Sequence, residues 1–290
     1  MLTSILVYGL INSVILALIT LGFTLTFGIS GVANFAYGAF YIFAGYLTWT
    51  LLNQLGLPYF LAAMLSVIIT ALLGFSMYWI FLMRLRGLVL SEVIATFAVG
   101  VAILELFRWA GFVTYEFSLP YLVKGSVEVA GVVVDLQRLT IVAITAALLL
   151  FIWLFTRHTK IGLSFRGIAQ EEYTALCFGI NPDRTAALSL AFGSAIAAVA
   201  AIAVLPLGVI SVNTGYDVLL IALAIAVIGG LESITGTIIA SFILGYAQII
   251  TATYLSPGWM ILVYLAAILI VLIVKPSGLF GKFKELEERV

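Results

Sequence analysis

The sequence predicts an all-α protein, a polytopic bundle of membrane-spanning helices. Three observations carry that expectation. Of the 290 residues, 64% are hydrophobic and only 9% are charged, where a soluble domain carries about 25% charged residues. The 13 Lys+Arg and 13 Asp+Glu cancel, and none of them precedes Arg84, so the first 83 residues hold no charge at all. Such a stretch has no solvated face. Finally, apolar runs of the length a span needs, about 20 residues, recur along the whole chain.

Taken in order, the candidate spans are 5–27, 35–53, 59–82, 88–110, 139–156, 185–207, 217–230, 237–255 and 258–274. That makes nine, within a range of eight to ten, and the seventh is short. The first run has no charged n-region and no A-x-A-like cleavage site, so it reads as a retained span rather than a signal peptide. Residues 1–290 then form a single transmembrane domain, with one long loop at 112–138, another at 157–184 and a tail from Lys275.

Charge placement orients the bundle. Arg84 and Arg86 follow the third span. Arg157, Lys160, Arg166 and Arg184 lie between the fifth and sixth, and Lys275, Lys282, Lys284 and Arg289 follow the last. The positive-inside rule places all three clusters, and with them the C-terminus, in the cytoplasm. An odd span count leaves the N-terminus and the 112–138 loop outside. A break at Gly28-Ile29-Ser30-Gly31 would instead place the N-terminus inside. Trp49, Tyr59, Trp109, Tyr254 and Trp259 fall near outer ends, Trp79 and Trp153 near inner ones, as interfacial aromatic rings do. Within the outer loop, VEVAGVVVD alternates around Ala130-Gly131 and suggests a small hairpin.

Composition also excludes functions. No basic excess points to nucleic acid. Cys177 is the only cysteine and His158 the only histidine, which leaves no disulfide, no metal centre and no cofactor to expect. There is no phosphate loop, no H-E-x-x-H and no G-x-S-x-G, so the chain is not expected to be an enzyme. Ionisable residues give no proton relay. Glu105 and Arg108 can pair at i, i+3, while Asp217 and Glu232 are expected to flank the short seventh span. Without a charge at a membrane centre, ion coupling is disfavoured. Energy for uphill transport would enter from another polypeptide.

Polar and small residues remain to be explained. Asn12, Thr20 and Thr24 share one helical face, and Asn34 and Tyr37 follow at a glycine-rich interruption, with Asn34 as an N-cap for the second helix. This set either lines a path for a small polar solute or ties helices together by hydrogen bonds. Ser233, Thr237, Ser241 and Gly245 form a small-residue stripe, residues 186–203 are rich in Ala and Ser, and Gly38, Ala39, Ala44 and Gly45 crowd the second span. Small faces bring backbones close, within the chain or against a partner subunit. Two interruptions, at 28–34 and 229–236, precede similar runs (AFYIFAGYLTWTLL and ASFILGYAQIITAT). Paired breaks of this kind mark transport sites or are ordinary turns.

The segment RHTKIGLSFRGIAQEEYTALCFGINPDRTAA, from Arg157 to Ala187, is the most informative. It predicts a short amphipathic helix over 166–178 and a stop at Gly179. A restart follows, capped by Asn181, with Pro182 and Asp183 in the first turn. Such a knob fits a groove on a soluble partner or is a plain surface loop.

At this segment the sequence resembles the ABC importer permeases, specifically the branched-chain amino-acid permeases of the LivH type. Three stretches carry the resemblance: LGFTLTFGISGVANFAYGAFYIFAGY at 21–46, KIGLSFRGIAQEEYTALCFGINPDR at 160–184 and VIGGLESITGTIIASFILGYAQ at 227–248. Tyr37 and Glu232 depart from it, standing where the family often has histidine and a small residue. The resemblance implies a multi-pass subunit of a prokaryotic cytoplasmic membrane. It implies a similar, LivM-like second permease, two cytoplasmic ATPases and an extracellular or periplasmic binding protein as partners. Import of a branched-chain amino acid or a related small solute would be driven by ATP. Arg166, Ala169, Gln170, Ala175, Gly179 and Asn181 would contact or shape the ATPase interface, and Asn12, Thr20, Thr24, Asn34 and Tyr37 are the candidates for the solute path. Two other classes stay open: an ATPase-independent transporter or channel for a solute such as urea or an amide, and a structural membrane anchor.

Overall fold

The computed structural model describes residues 2–111 and 117–281. Lys282, Lys284, Arg289 and the first five positions of the 112–138 loop lie outside that range. Eleven helices and one hairpin are found in the described residues. They are α1 (Leu2–Ser30), α2 (Tyr37–Asn53), α3 (Tyr59–Ile80), α4 (Val89–Trp109), β1 (Ser126–Val129), β2 (Val132–Asp135) and α5 (Leu136–His158). After these come α6 (Lys160–Gln170), α7 (Glu172–Cys177), α8 (Pro182–Val204), α9 (Val212–Gly229), α10 (Ile234–Tyr254) and α11 (Met260–Val274).

Eight of the helices are long and apolar enough to cross a membrane, and α2, with 17 residues, lies packed among them. Tyr37, Phe40, Ile42 and Ala44 of α2 are fully buried. A helix shielded from lipid does not need a full bilayer's length of apolar surface, which is how a short segment can serve here. The glycines of α2 explain how closely it is enclosed. A Cβ at Gly38 would overlap the carbonyl oxygen of Gly215 on α9.

α1 and α10 run antiparallel. Near one end of the bundle Asn12 on α1 meets Gln248 on α10, and near the other Gly28 abuts Glu232. α8 supplies the small-residue wall: Ala197, Ala198, Ala200 and Ala201 have no exposed surface, and Gly193 sits directly on Gly22 of α1. The outer faces of α3, α4, α5 and α11 are apolar and exposed, with Phe60, Leu72, Ile94, Leu150 and Ile270 among them. In a bilayer these are the faces that lipid or another subunit covers.

The hairpin lies where the sequence indicates. Ala130 and Gly131 take φ of 54° and 78°, the left-handed pair that closes a two-residue hairpin turn, and Val129 pairs with Val132. Tyr8 donates to the Val133 carbonyl at 2.7 Å, fixing the hairpin over the start of α1. At this hairpin end Gln137 is buried, accepting from Leu122 N at 2.9 Å and donating to Ala203 O at 2.8 Å. Phe117 bridges Ile210 and packs edge-on to Trp49, ring centroids 4.4 Å apart. Arg84, Arg86, α6, α7 and Lys275 gather at the opposite, basic end.

Several boundaries move. α1 is unbroken to Ser30, so the expected break at Gly28–Gly31 falls after the helix has crossed. α5 starts at Leu136, inside the loop expected to run to residue 138. α9 starts at Val212, with Ser211 accepting from Thr214 N at 3.3 Å. It is therefore an 18-residue helix rather than the short 217–230 piece. Asp217 consequently lies inside a span, contrary to the expectation that it flanks one.

The two interruptions also differ. Residues 31–36 form a non-helical stretch packed inside the bundle, where Thr96 of α4 accepts from Phe35 N at 3.2 Å and donates to Ala33 O at 3.1 Å. Thr96 is seven residues into α4, about 10 Å at 1.5 Å per residue. The second interruption is a tight turn at the basic end. Gly230 adopts φ 103°, and Ser233 caps α10 by accepting from Gly236 N at 3.0 Å. The tail closes over this turn, with Leu279 N donating to Ile228 O at 2.8 Å and Phe280 N to Gly229 O at 3.0 Å. Those bonds satisfy carbonyls that a helix C-terminus otherwise leaves open.

Candidate functional site: the basic-end knob and the interior polar groups

The knob at the basic end is two helices, not one over 166–178. Thr159 starts α6 by accepting from Gly162 N at 3.0 Å, and Phe165 seats it on Phe155 and Phe192, centroids 6.1 and 5.9 Å away. The chain then leaves helical geometry at Glu171 (φ −161°, ψ 116°) before α7 begins. Glu172 thereby reaches Arg86 on the α3–α4 connection. Arg86 also bonds Asp183 at 2.7 Å, and Tyr78 donates to the same carboxylate at 2.7 Å. Partial burial works against the Arg86 charge, but Glu172 and Asp183 outweigh it and raise its pKa above the ordinary guanidinium value.

The end of the knob follows the sequence closely. Gly179 takes φ 79° and its N–H bonds Leu176 O at 2.9 Å. Asn181 accepts from Arg184 N at 3.1 Å, and Pro182 occupies the first turn of α8. Of the residues assigned to coupling, Arg166, Gln170, Gly179 and Asn181 are exposed, Ala169 is half-buried, and Ala175 is buried beside Gly167 of α6. Tyr173, Leu176 and Phe178 stand out from the surface, Phe178 with 81% of its area exposed. A shallow open cavity of about 330 Å³ separates this apolar ridge from Arg86 and Asp183. Sequence reasoning missed Arg86, Glu172, Asp183 and Tyr78 as a group. Their only signal was a pair of acids and an arginine at the same predicted membrane face.

The interior polar residues are engaged mainly between helices. Asn12 donates to Gln248 Oε1 at 2.9 Å, Thr24 shares a 2.9 Å hydrogen bond with Thr237, and Thr20 bonds back to Leu16 O at 2.9 Å. The stripe of Thr237, Ser241 and Gly245 is thus turned onto α1, where Gly245 meets Ser13. Tyr37 is fully buried and donates to Ile19 O at 2.6 Å. Asn34 accepts from Ala36 N at 3.1 Å, an Asx-type turn just ahead of α2 rather than a cap inside it. Its buried amide nitrogen has no partner among the described residues. Close by, a narrow crevice is lined by Phe35, Ala39, Phe97, Gly100, Tyr216 and Leu219.

Among the described residues, no group of His, Cys, Asp or Glu could hold a metal ion. With eight helices long and apolar enough to cross a membrane among the described residues, the fold is that of a polytopic membrane protein. Residues 5–273 match the family model for the branched-chain amino acid transport system permease component, and the chain belongs to that family. It is 30% identical to the high-affinity branched-chain amino acid transport system permease protein BraD of Pseudomonas aeruginosa, over 96% of this chain and 95% of that one. It is 29% identical to the permease protein LivH of Escherichia coli, over 92% and 91%. A probable LivH of Methanocaldococcus jannaschii is 28% identical over 94% and 90%. Among solved structures, PsaBC from Streptococcus pneumoniae in complex with Fab superposes with a TM-score of 0.52, 15% identity, and coverage of 94% of this chain and 92% of that one. That likeness is one of fold.

Proposed function

We propose that this chain is the membrane-spanning subunit of an ATP-driven importer for branched-chain amino acids. The single observation that carries the coupling part is the α6–α7 knob. It is rigidly capped at Gly179–Asn181, ends in the exposed Tyr173–Leu176–Phe178 ridge, and is fastened through Arg86 to the start of α4. A soluble ATPase gripping that ridge would move α4 and α8 together. Family membership and the relatives' names support the solute class. In this reading the basic end and the C-terminus face the cytoplasm, by the positive-inside rule. Two ATPases dock there, a second permease packs beside the bundle, and a binding protein delivers solute at the hairpin end. Arg166, Gln170 and Asn181 fit the docking surface, and Ala169, Ala175 and Gly179 shape it. The interior set from Asn12 to Tyr37 serves packing more than solute contact.

The test is reconstitution of the chain with its partner permease, ATPases and binding protein in liposomes, followed by leucine uptake. Uptake is expected only with ATP and the binding protein present. Full-rate leucine movement through this chain alone, without ATP, would refute the coupling reading.

A further inference from the structure

The first turns of α9 carry an unexplained polar face. Asn213 and Asp217 are both exposed, at i, i+4, and Asp217 has no hydrogen-bond or ion-pair partner among the described residues. With 100° per residue, Asn213, Asp217 and Leu220 point roughly opposite to Gly215. Gly215 faces inward against Gly38, Ile42 and Leu104, so the polar pair faces out of the core.

Depth makes this face notable. Leu104 is five residues from the end of α4 at Trp109, about 7.5 Å, and Asp217 lies two residues further in, about 10 Å below that end at 1.5 Å per residue. From Asp217 to the end of α9 at Gly229 is another 12 residues, about 18 Å. The sum is close to the roughly 30 Å of a hydrocarbon core, which puts the carboxylate well inside it. Acids at such depth face a water-filled cavity or a polar partner, not acyl chains. The outward faces of α3 and α11 show the contrast, being built from residues such as Phe60, Leu65, Leu72, Leu265 and Ile270.

On the inward side of α9, away from the pair, Gly215, Tyr216 and Leu219 close a tight apolar crevice against α2 and α4. Its other walls, Phe35, Ala39, Phe97 and Gly100, offer no charge. Above it, toward the hairpin end, Tyr46 stacks on Phe107 at 4.7 Å and meets Phe117 at 5.6 Å. An acid and an amide donor one turn away match the two charged ends of a small zwitterion. Side chains at i, i+4 are about 5–6 Å apart at Cβ, near enough for one amino-acid head group to touch both.

Resting on the import reading above, we propose that the Asn213–Asp217 face of α9 is this chain's wall of an aqueous solute path. Asp217 accepts from the solute's ammonium group, and Asn213 donates to its carboxylate. The second permease closes the path from the other side.

The test has two arms, both on the assembled complex. In a Cys177→Ser background, Asp217→Cys is treated with a membrane-impermeant cationic methanethiosulfonate. Rapid modification is expected. Reaction only with a lipid-soluble maleimide, or with neither reagent, overturns the path, placing the position against lipid or in a dry subunit contact. In the second arm, Asp217→Asn is expected to lower leucine uptake about tenfold or more, the loss of one charge-assisted bond to solute, with membrane level unchanged and Asp217→Glu partly restoring it. Uptake near that of the unmodified complex in Asp217→Asn overturns the ammonium assignment. If the unmodified complex imports no leucine, the import reading fails, while thiol accessibility still decides whether α9 borders water.

Discussion

Thr24 and Thr237 show how individual side chains are used in this interior. Their hydroxyls meet at 2.9 Å between α1 and α10, and interhelical hydrogen bonds in membranes average about 0.6 kcal/mol, reaching about 1.7. Thr24→Val keeps the shape and should cost stability of that order, measured by unfolding in mixed detergent micelles, with leucine uptake otherwise intact. A solute-contact role would show the reverse pattern, lost uptake at unchanged stability. Gly38 is less forgiving. A methyl there overlaps backbone, and overpacking typically costs about 1–3 kcal/mol. Gly38→Ala should therefore lower the unfolding midpoint more than Thr24→Val does. Sequence spacing placed Asn12, Thr20 and Thr24 on one face, but it contains nothing about which helix that face meets. Only the packing of α10 against α1 settles what the hydroxyls touch.

Among the elements, the α6–α7 pair carries the strongest functional expectation. Its ion pairs are 26–42% exposed, so each contributes about 0.2–1 kcal/mol at most. Their importance is geometric. Arg86→Ala should leave membrane abundance near normal while lowering the leucine imported per ATP hydrolysed, read by parallel uptake and phosphate-release assays. Unchanged stoichiometry would show the Arg86 tie to be ornamental to coupling. Asn181→Ala removes the α8 cap, at about 1 kcal/mol, and should loosen the same joint, seen as faster amide exchange at residues 183–185. The sequence reading joined residues 166–178 into one helix because their pattern is amphipathic throughout. It overlooked Thr159 as a cap, and it had no means of seeing that Glu172 is pulled toward Arg86, which requires the extended residue at Glu171.

For the molecule as a whole, the span count was readable because membrane helices announce themselves by apolar length, and hairpin and knob because turn and cap residues act locally. Which helix is central was not readable. Helices in this chain are apolar all round, so burial leaves no periodic trace, and α2 differs from α11 only once both are packed. Asp217 was misplaced for a related reason: the start of α9 is set by Ser211 after the Leu205-Pro206-Leu207 turn, upstream of the apolar run that defines the span by composition. Tyr8 lies at the hairpin end and Leu279 at the basic end, so the first and last described segments sit at opposite ends of the bundle. Impermeant labelling of sealed vesicles should reach a thiol placed at Ser4 from one side and a thiol at Ser277 only from the other. Labelling of both from one side would remove a crossing from the topology.

The backbone bonds from Leu279 and Phe280 to the last carbonyls of α9 act as a buckle. Because they grip main chain rather than side chains, no surface substitution on α9 undoes them, and the helix cannot rotate or slide without dragging the strap along. The far end of the chain is thus a built-in pointer for a helix otherwise hidden among its neighbours. A spin label near Ser277 would register each stroke of α9 as a change in distance to a second label on the stationary hairpin, turning an outlying segment into a gauge of the transport cycle.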